Sequence, residues 1–323
     1  MGVKTGHNLE VYYLILTITL NPSIDRRYYV KGFEKDKVFR AENVQYTPGG
    51  KGLNVTRVIK TFSDSLIATG FIGGKSGSFI EEKLDELNIN HNFLSVNGET
   101  RSCLAIHSDD GSQTEILEKG PVISNEEISN FNHLYNELIR ESEIICASGS
   151  LPQGLPLETY KDLISVAKSQ NKKFILDTSG DALKLGMEAS PFLIKPNKDE
   201  LEKLVGHVIT SNDEIVKAAK CLLENDIEIV VVSLGREGAI VFNKGYAYKI
   251  NVPSVKTVNS VGSGDSMIAG FAISLMEGYD FEYMLKVAAA CGAANAMEEE
   301  TGKVNINNVR NIINGINITK LKI

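Results

Sequence analysis

Short apolar segments rich in β-branched residues alternate with segments of helical periodicity along most of this chain. The apolar segments predict buried strands at Leu14–Leu20, Leu66–Ile72, Ile144–Ala147, Phe174–Asp177, Phe192–Lys195 and Glu228–Leu234. Apolar residues at helical spacing predict helices at Leu53–Phe62, Ser78–Leu87, Asn125–Ile139, Glu158–Ser169 and Asn212–Leu223. This alternation predicts an α/β fold in three layers, with an open, mostly parallel sheet and helices on both faces.

Two regions break the alternation because they contain strand-like pieces with no helix between them. The pieces are Arg27–Val30, Asn43–Tyr46, Ser102–His107 and Gln113–Leu117. We predict that they form one small antiparallel sheet, built from two insertions into the α/β core, which acts as a lid.

The C-terminal third predicts helices at Gly264–Glu277, Phe281–Met297 and Ile306–Ile316. No internal repeat or linker interrupts the pattern. We therefore predict a single domain over residues 14–323, with lid strands from about 25–47 and 92–118. Residues 1–13 are polar up to Glu10 and are interpreted as an N-terminal tail or an artefact of the start site.

Composition narrows the classes of function. The chain has 323 residues, a formal net charge of −7 and a sequence pI of about 5.4, which argues against nucleic acid or an anionic membrane as a partner. The apolar run Val11–Leu20 is too short to span a bilayer. The four cysteines form no CxxC pair and the five histidines have no zinc-site spacing, so we expect free thiols in a reducing cytoplasm.

The strongest local signal is the segment Asn259–Ser266, which precedes an apolar helical run. Its two glycines let the backbone turn tightly, and the amide groups at a helix N-terminus favour an anion such as a phosphoryl group. Asp265 lies at the same turn, where a carboxylate can take a proton from an attacking hydroxyl. An ordinary helix start with Asp265 as an acid of the first turn explains the segment equally well.

A second glycine-rich segment, Thr47–Asn54, also leads into a helix. It allows close approach of the backbone to a ligand, and Lys51 supplies charge, although a loop that only needs positive φ angles has the same composition. The segment Gly70–Ser76 is similar to a Walker A loop, but Thr69 stands where that pattern requires glycine. We predict no nucleotide role for it.

Polar residues follow several of the predicted strands. Asn197 and Glu200 are three apart at a helix start, so they could hold Mg²⁺ through water or form an ordinary capping box. Ser233, Gly235 and Gly238 end another strand at a turn, where open α/β sheets bind ligands. Asp25 and Arg101 could bind sugar hydroxyls and a phosphate, although each alone is more typical of a solvated surface charge.

Taken in order, Gly49–Asn54 and Gly262–Asp265 resemble the two signatures of the ribokinase-like sugar kinases, the PfkB family. The resemblance covers the chain from about Leu14 to the C-terminal helices. It implies a ribokinase-like sheet with a small β-sheet lid, ATP and Mg²⁺ as cofactors, and a homodimer formed through the lid. Many members carry aspartate at the position of Asn259, whereas members that act on phosphorylated ketohexoses often lack it.

The same resemblance assigns roles to individual residues. It implies that Asp265 is the catalytic base and that the anion hole is formed by Gly262, Ser263 and Gly264. The nucleotide side would comprise Lys195, Asn197, Ser233, Gly235 and Gly238, with Asn197 and Glu200 related to Mg²⁺ through water. The sugar side would comprise Asp25, Gly49, Gly50, Lys51, Asn54, Arg101 and Cys103.

Within the family, the chain resembles the branch that acts on ketohexose monophosphates and forms 1,6-bisphosphates. Gly98–Cys103 and Gln113–Glu118 are similar to tagatose-6-phosphate kinases, while Leu176–Gly180 and Asp265–Phe271 are equally similar to 1-phosphofructokinases. Because the lid should touch the sugar, we expect tagatose 6-phosphate as the substrate, with Arg101 and Lys51 binding its phosphate. A non-catalytic sugar-phosphate sensor and a kinase of nucleosides or unphosphorylated sugars are the rival expectations.

Overall fold

The computed structural model describes residues 14–243 and 245–321; the predicted N-terminal tail lies outside these residues. Ten strands form the main sheet in the order β14-β13-β12-β11-β10-β9-β8-β1-β4-β5. In chain order they are β1 (Leu14–Thr19), β4 (Leu66–Ile72), β5 (Leu94–Ser95), β8 (Ser142–Ser148), β9 (Lys173–Asp177), β10 (Leu193–Ile194), β11 (Ile229–Ser233), β12 (Ala239–Asn243), β13 (Tyr246–Asn251) and β14 (Asn317–Leu321).

The sheet is parallel from β11 to β5 and antiparallel from β11 to β14. The mostly parallel sheet that the sequence predicts is therefore confirmed. The prediction omitted β12, β13 and β14, which are short strands joined without an intervening helix except before β14. Such strands lack the strand–helix alternation on which the prediction relied. The prediction also assigned β5 to the lid segment 92–118, whereas β5 pairs with β4 in the main sheet.

Helices cover both faces of this sheet. They are α1 (Lys51–Phe62), α2 (Gly74–Glu86), α3 (Asn125–Leu138), α4 (Thr159–Ser169), α5 (Gly180–Met187), α6 (Lys198–Val205), α7 (Asn212–Leu223), α8 (Ser263–Met276), α9 (Phe281–Asn295) and α10 (Ile306–Gly315). The periodicity missed α5 and α6, which have only eight residues each and so show little more than two turns, although the helix start at Asn197 and Glu200 was anticipated and is the start of α6. None of the helices in the described ranges is long and apolar enough to cross a bilayer.

The sheet separates two apolar cores. In β11, Ile229 and Val231 belong to one core with α1, α2, α8, α9 and α10, while Val230 and Val232 belong to the other with α3 to α7. Successive side chains of a strand point to opposite faces, so a strand with helices on both sides must be apolar throughout. This is why the central strands appear in the sequence as continuous apolar runs.

Four strands form the smaller sheet in the order β3-β2-β6-β7, with bounds β2 (Ser23–Val30), β3 (Asn43–Gly49), β6 (Arg101–Ser108) and β7 (Gln113–Leu117). They lie in the two segments from which the lid was predicted. The prediction that this sheet is antiparallel was wrong for its central pair, because β2 and β6 are parallel. Each insertion contributes one antiparallel pair, and the first strands of the two insertions lie side by side in the same direction.

Candidate active site

A cleft of about 550 Å³ lies where the carboxyl ends of β1, β8, β9, β10 and β11 meet the lid sheet. Its lining combines residues that follow those strands with residues of β2, β3, β6 and the start of α1 and α8. Parallel strands present their carboxyl ends at one edge, so polar residues from distant parts of the chain converge there. Among them are Asp25, Gly50, Lys51, Asn54, Arg101, Cys103, Lys195, Asn197, Glu200, Gly262, Gly264 and Asp265, all predicted from the sequence.

The turn before α8 presents backbone amide groups at this cleft. Gly262 has φ +84°, in the left-handed region that favours glycine, and a Cβ there would lie 2.6 Å from Cγ2 of Thr301. Within the described part of the chain, no side chain caps α8, in contrast to α3, α6 and α7. A helix start without a side-chain cap in a cleft is suited to an anion.

Asp265 lies in the first turn of α8 but does not cap it. Its side chain is 6% exposed, and its Oδ2 accepts a hydrogen bond of 2.8 Å from Nδ2 of Asn54. Burial and then the charge of Asp177 raise the pKa of Asp265 to about 6, against the opposing effects of Lys51, the Asn54 hydrogen bond and Lys195. A carboxylate with a pKa near neutral is suited to general-base catalysis.

Asp177 lies at the end of β9. It belongs to the segment Leu176–Gly180 that resembles 1-phosphofructokinases, but it was not predicted as a site residue. It is 1% exposed, and neither of its carboxylate oxygens accepts a hydrogen bond from the described residues. Lys51 Nζ lies 3.7 Å from one oxygen and Lys195 Nζ 3.4 Å from the other. Its position after a predicted parallel strand was the signal that could have identified it.

The two lysines stand beside the glycine turn. A Cβ on Gly264 would lie 3.0 Å from Nζ of Lys195. The charge of Asp177 raises the pKa of Lys51, with smaller contributions from Asp265 and Glu200. The arrangement therefore holds two positive charges next to the backbone amides of the glycine turn and the buried carboxylate of Asp265.

The lid side of the cleft contains Asp25, whose Oδ1 accepts a hydrogen bond of 2.7 Å from Ser23 Oγ. Burial raises the pKa of Asp25, although Ser23 and nearby arginines oppose this. Gly49 must lack a side chain, since a Cβ would lie 2.0 Å from Asp25 Oδ1. Cys103 is opposite Asp25 on the neighbouring strand and is partly buried.

Arg101 also lines the lid side of the cleft. Its Nε and Nη2 donate to the carbonyl oxygen of Asn21 at 3.2 and 3.0 Å, and Nη1 donates to that of Glu118 at 3.1 Å. A guanidinium has five N–H donors, so two remain for a ligand after these three contacts. The backbone contacts fix the plane in which those two donors point.

A second cavity of about 600 Å³ adjoins the cleft, with Asn197 and Ser233 common to both. Gly235 lines this cavity with φ +58°. Gly238 lines neither cavity; a Cβ there would lie 2.0 Å from the carbonyl oxygen of Ile250, which gives this glycine a structural reason. Ser263 is likewise absent from the cleft lining, although its Oγ is buried and has no hydrogen-bond partner among residues 14–243 and 245–321.

Asn197 and Glu200 form a capping box at the start of α6, with each side chain accepting from the other's backbone amide. Both nevertheless line the cleft. The described residues contain no cluster of three or more His, Cys, Asp or Glu that could enclose a metal. The oxygens of Asp177, Asn197 and Glu200 fit Mg²⁺, which keeps most of its waters and needs few protein ligands.

Residues 298–302, here called the 298–302 loop, join the lid to the core. Arg27 of β2 donates to the carbonyl oxygen of Glu299 and, at 2.9 Å, to Oγ1 of Thr301. Asn259 Nδ2 donates to the same two oxygens at 3.1 and 3.3 Å. This loop has no hydrophobic periodicity, so these contacts were not predicted from the sequence.

The Walker-like segment has a different explanation. Glu99 accepts hydrogen bonds from the amides of Lys75 and Ser76, and its carboxylate is 1.9 Å from where a Cβ on Gly74 would be. The start of α2 is thus already occupied by a carboxylate.

Residues 16–307 match the sequence model of the pfkB family of carbohydrate kinases. The chain is 43% identical to tagatose-6-phosphate kinase of Staphylococcus epidermidis over 311 residues, which are 95% of this chain and all of that protein. It is similar to phosphofructokinase-2 from Escherichia coli in complex with fructose 6-phosphate, with a TM-score of 0.85, 29% identity and coverage of 94% and 99% of the two chains. It is also similar to a "possible 1-phosphofructokinase" from Thermotoga maritima, with a TM-score of 0.88, 25% identity and coverage of 96% and 100%.

Proposed function

Because the chain belongs to the pfkB family of carbohydrate kinases, and is thereby an ATP-dependent sugar kinase, we propose that it phosphorylates a ketohexose monophosphate, with tagatose 6-phosphate as its substrate. The product is the 1,6-bisphosphate. One observation carries the chemistry: a buried carboxylate, Asp265, faces two lysines at a helix start without a side-chain cap. The 43% identity to a tagatose-6-phosphate kinase supports the choice of sugar.

Asp265 serves as the general base in this proposal. It takes the proton of the acceptor hydroxyl as the oxygen attacks the γ-phosphorus of ATP, and the bond from that phosphorus to the β,γ-bridging oxygen breaks. ADP leaves with the bonding electron pair. The hydrogen bond from Asn54 keeps the base oriented.

Lys51 and Lys195 oppose the negative charge of the transferred phosphoryl group, and the backbone amides of the Gly262–Asp265 turn donate hydrogen bonds to it. Lys51 was expected to bind the phosphate already on the sugar, but its position against Asp177 favours the transferred group instead. Preorganised charges in a site that excludes water stabilise the transition state without reorganisation.

The sugar is held from the lid side. Asp25 and Asn54 bind hydroxyl groups, and the two free donors of Arg101 bind the existing phosphate. Arg26 and Arg27 line the same wall and add positive charge. Cys103 and Gly49 shape the space next to Asp25.

ATP occupies the adjoining cavity beside Ser233 and Gly235. Asn197, Glu200 and Asp177 would hold Mg²⁺, in part through water, and the bound ion would supply positive charge against the phosphates of ATP. Gly238 supports the turn and does not touch the nucleotide in this proposal.

A second candidate is phosphorylation of fructose 1-phosphate, which the likeness to the Thermotoga maritima protein favours. In that reaction the phosphoryl group goes to the opposite end of the sugar. The cleft would then place the C-6 hydroxyl, instead of the C-1 hydroxyl, at Asp265.

The test is a panel of initial rates of ADP formation with ATP and Mg²⁺ and one sugar phosphate at a time. Tagatose 6-phosphate should give the highest kcat/KM, above fructose 6-phosphate and fructose 1-phosphate. Preference for fructose 1-phosphate would replace the proposed sugar and keep the mechanism. Absence of ADP formation with every sugar phosphate would support the sensor alternative, and activity on ribose or adenosine alone would overturn the proposal.

We propose further that two copies associate through the lid. Ile116 in edge strand β7 is 55% exposed, and the neighbouring Leu117 is also exposed. Exposed apolar residues on an open sheet edge favour pairing with another chain. Light scattering on the wild type should give a dimer mass and Ile116→Lys should lower it; a wild-type monomer would contradict this.

The cytoplasm is the compartment proposed for the reaction. Its supply of ATP and its reducing potential suit an enzyme whose four cysteines are all free thiols. Cell fractionation followed by the same ADP assay tests this placement.

A further inference from the structure

We propose that Arg57 is a positioning residue for the base: it holds the Asn54 amide in the orientation that donates to Asp265, and Glu300 in turn holds Arg57. This inference rests on the proposed function, because it takes Asp265 to be the base. Sequence reasoning did not select Arg57 or Glu300 as site residues.

The contacts form one continuous chain. Arg57 Nη1 donates to Glu300 Oε1 at 2.8 Å, and Arg57 Nη2 donates to Asn54 Oδ1 at 2.7 Å. Asn54 Nδ2 then donates to Asp265 Oδ2 at 2.8 Å. Each distance lies within the normal range of a strong hydrogen bond.

Chemistry fixes the direction of this chain. The oxygen and nitrogen of an asparagine amide have similar shapes, so either could face a given neighbour. A guanidinium carries donors and no acceptor, so the atom of Asn54 that faces Arg57 must be its oxygen. The amide nitrogen of Asn54 therefore points at Asp265, where it favours the ionised carboxylate. Without Arg57, the amide is free to turn its oxygen towards Asp265.

Arg57 acts from behind the cleft. It is 7% exposed and does not line the cleft; it lines an adjacent cavity of about 730 Å³, which shares Gln45, Thr47 and Glu300 with the cleft. It therefore does not touch the sugar or ATP in the proposed arrangement. Gly302 presses on the other side of Asn54, since a Cβ there would lie 2.8 Å from Asn54 Cα.

Several charges act on Asp265 besides this chain. Asp177 from β9 opposes its ionisation, whereas Lys51 from α1 and Lys195 after β10 favour it. Arg57 lies close enough for Asp265, Glu300 and Asp25 all to oppose the lowering of its own pKa by burial. Arg57 therefore makes one of several contributions to the pKa of Asp265, and substituting Arg57 separates its contribution from the others.

The experiment measures the single-turnover rate against pH at saturating ATP, Mg²⁺ and sugar phosphate, which avoids the titration of free substrate. A base acts when ionised, so loss of the Asn54 hydrogen bond should raise the pKa of Asp265 and move the acidic limb to higher pH. Arg57→Met should move it by about one pH unit, which is about tenfold in rate on that limb, with recovery towards the wild-type rate above it. Arg57→Lys, which keeps the charge but lacks the fork, should give a smaller move in the same direction.

Lys60→Met is the matched control, because Lys60 is another paired cation of α1 that lies outside the cleft lining. Its profile should superimpose on the wild type. A uniform loss of rate at every pH in Arg57→Met would overturn the inference, and Arg57→Lys provides the same reading if the Met variant fails to fold.

A double substitution tests whether Arg57 acts through Asn54. In an Asn54→Ala background, Arg57→Met should move the limb little further; an undiminished move would mean that Arg57 acts by its charge alone and would overturn the inference. Asp265→Asn separates the two levels of argument. If that variant keeps its turnover rate, the proposed base is wrong; if it is inactive while the limb does not move in Arg57→Met, only the positioning role is wrong.

Discussion

Replacing Asp265 with asparagine should remove activity and stabilise the fold at neutral pH. The amide group of asparagine has nearly the same shape as the carboxyl group of aspartate, and its oxygen can still accept the hydrogen bond from Asn54. It lacks the charge that burial and Asp177 disfavour. The substitution thus separates the cost of a buried charge from changes in packing.

The magnitude follows from the raised pKa. Asp265 has an ordinary pKa of 3.8 and a pKa of about 6 in the folded protein. That rise corresponds to about 3 kcal/mol of lost stability once the group is ionised in both states. The loss begins as the pH rises through about 4, where the unfolded chain ionises, and is complete above about 6. Asp265→Asn should therefore be about 3 kcal/mol more stable near pH 7.5 and only about 1 kcal/mol more stable near pH 4.5.

Urea unfolding at both pH values measures this difference, and single turnovers should show a loss of about 10²- to 10⁴-fold in rate. Asp213→Asn is the control, because Asp213 is an exposed acid in the first turn of α7. Equal stabilisation of Asp265→Asn at both pH values, or none at either, would refute the account of why this carboxylate has a high pKa. The wild-type rate should fall as the pH drops through about 6, where the base becomes protonated.

Further substitutions test the sugar side of the cleft and the structural role of Gly238. Gly49→Ala should raise the KM for sugar phosphate about tenfold or more with little change for ATP, since its Cβ would overlap Asp25; initial rates with each substrate varied check this. Arg101→Gln should weaken binding of the sugar phosphate by about 1.5–3 kcal/mol and leave the weak binding of the unphosphorylated sugar unchanged, which calorimetry can measure. Gly238→Ala should lower the melting temperature much more than Gly235→Ala, because only the former meets backbone, and an unchanged melting temperature would contradict its structural role.

The sequence predicted the central sheet well because buried parallel strands are apolar on both faces. The run Glu228–Leu234 contains β11, and its residues divide between the two cores. It predicted poorly where a few residues form an element, as in α5, or where strands follow one another directly, as in β12 and β13. The relative direction of β2 and β6 in the lid was predicted wrongly, since local patterns do not specify which strands of two insertions lie side by side.

Site residues were predictable where glycine marked them. Gly49 and Gly262 stand where a Cβ would collide with a neighbour, and that requirement is visible as glycine in the sequence. Asp177 and Arg57 carry no such mark, because a single charged residue in a strand end or a helix is common. Their importance arises from neighbours more than a hundred residues away in sequence, such as Lys51 for Asp177 and Glu300 for Arg57.

The 298–302 loop has a consequence for exchanging parts between related enzymes. It receives Arg27 from the lid and holds Arg57 through Glu300. Its Gly302 amide donates to Asn295 Oδ1, and Asn295 Nδ2 donates to the carbonyl oxygen of Val261 just before the glycine turn. In a chimaera that takes only the lid from a relative, the lid residues that contact this loop would come from one protein and the loop itself from the other. Evolution should therefore change the lid and this short loop together, and a transplanted lid should work best when the loop is transplanted with it.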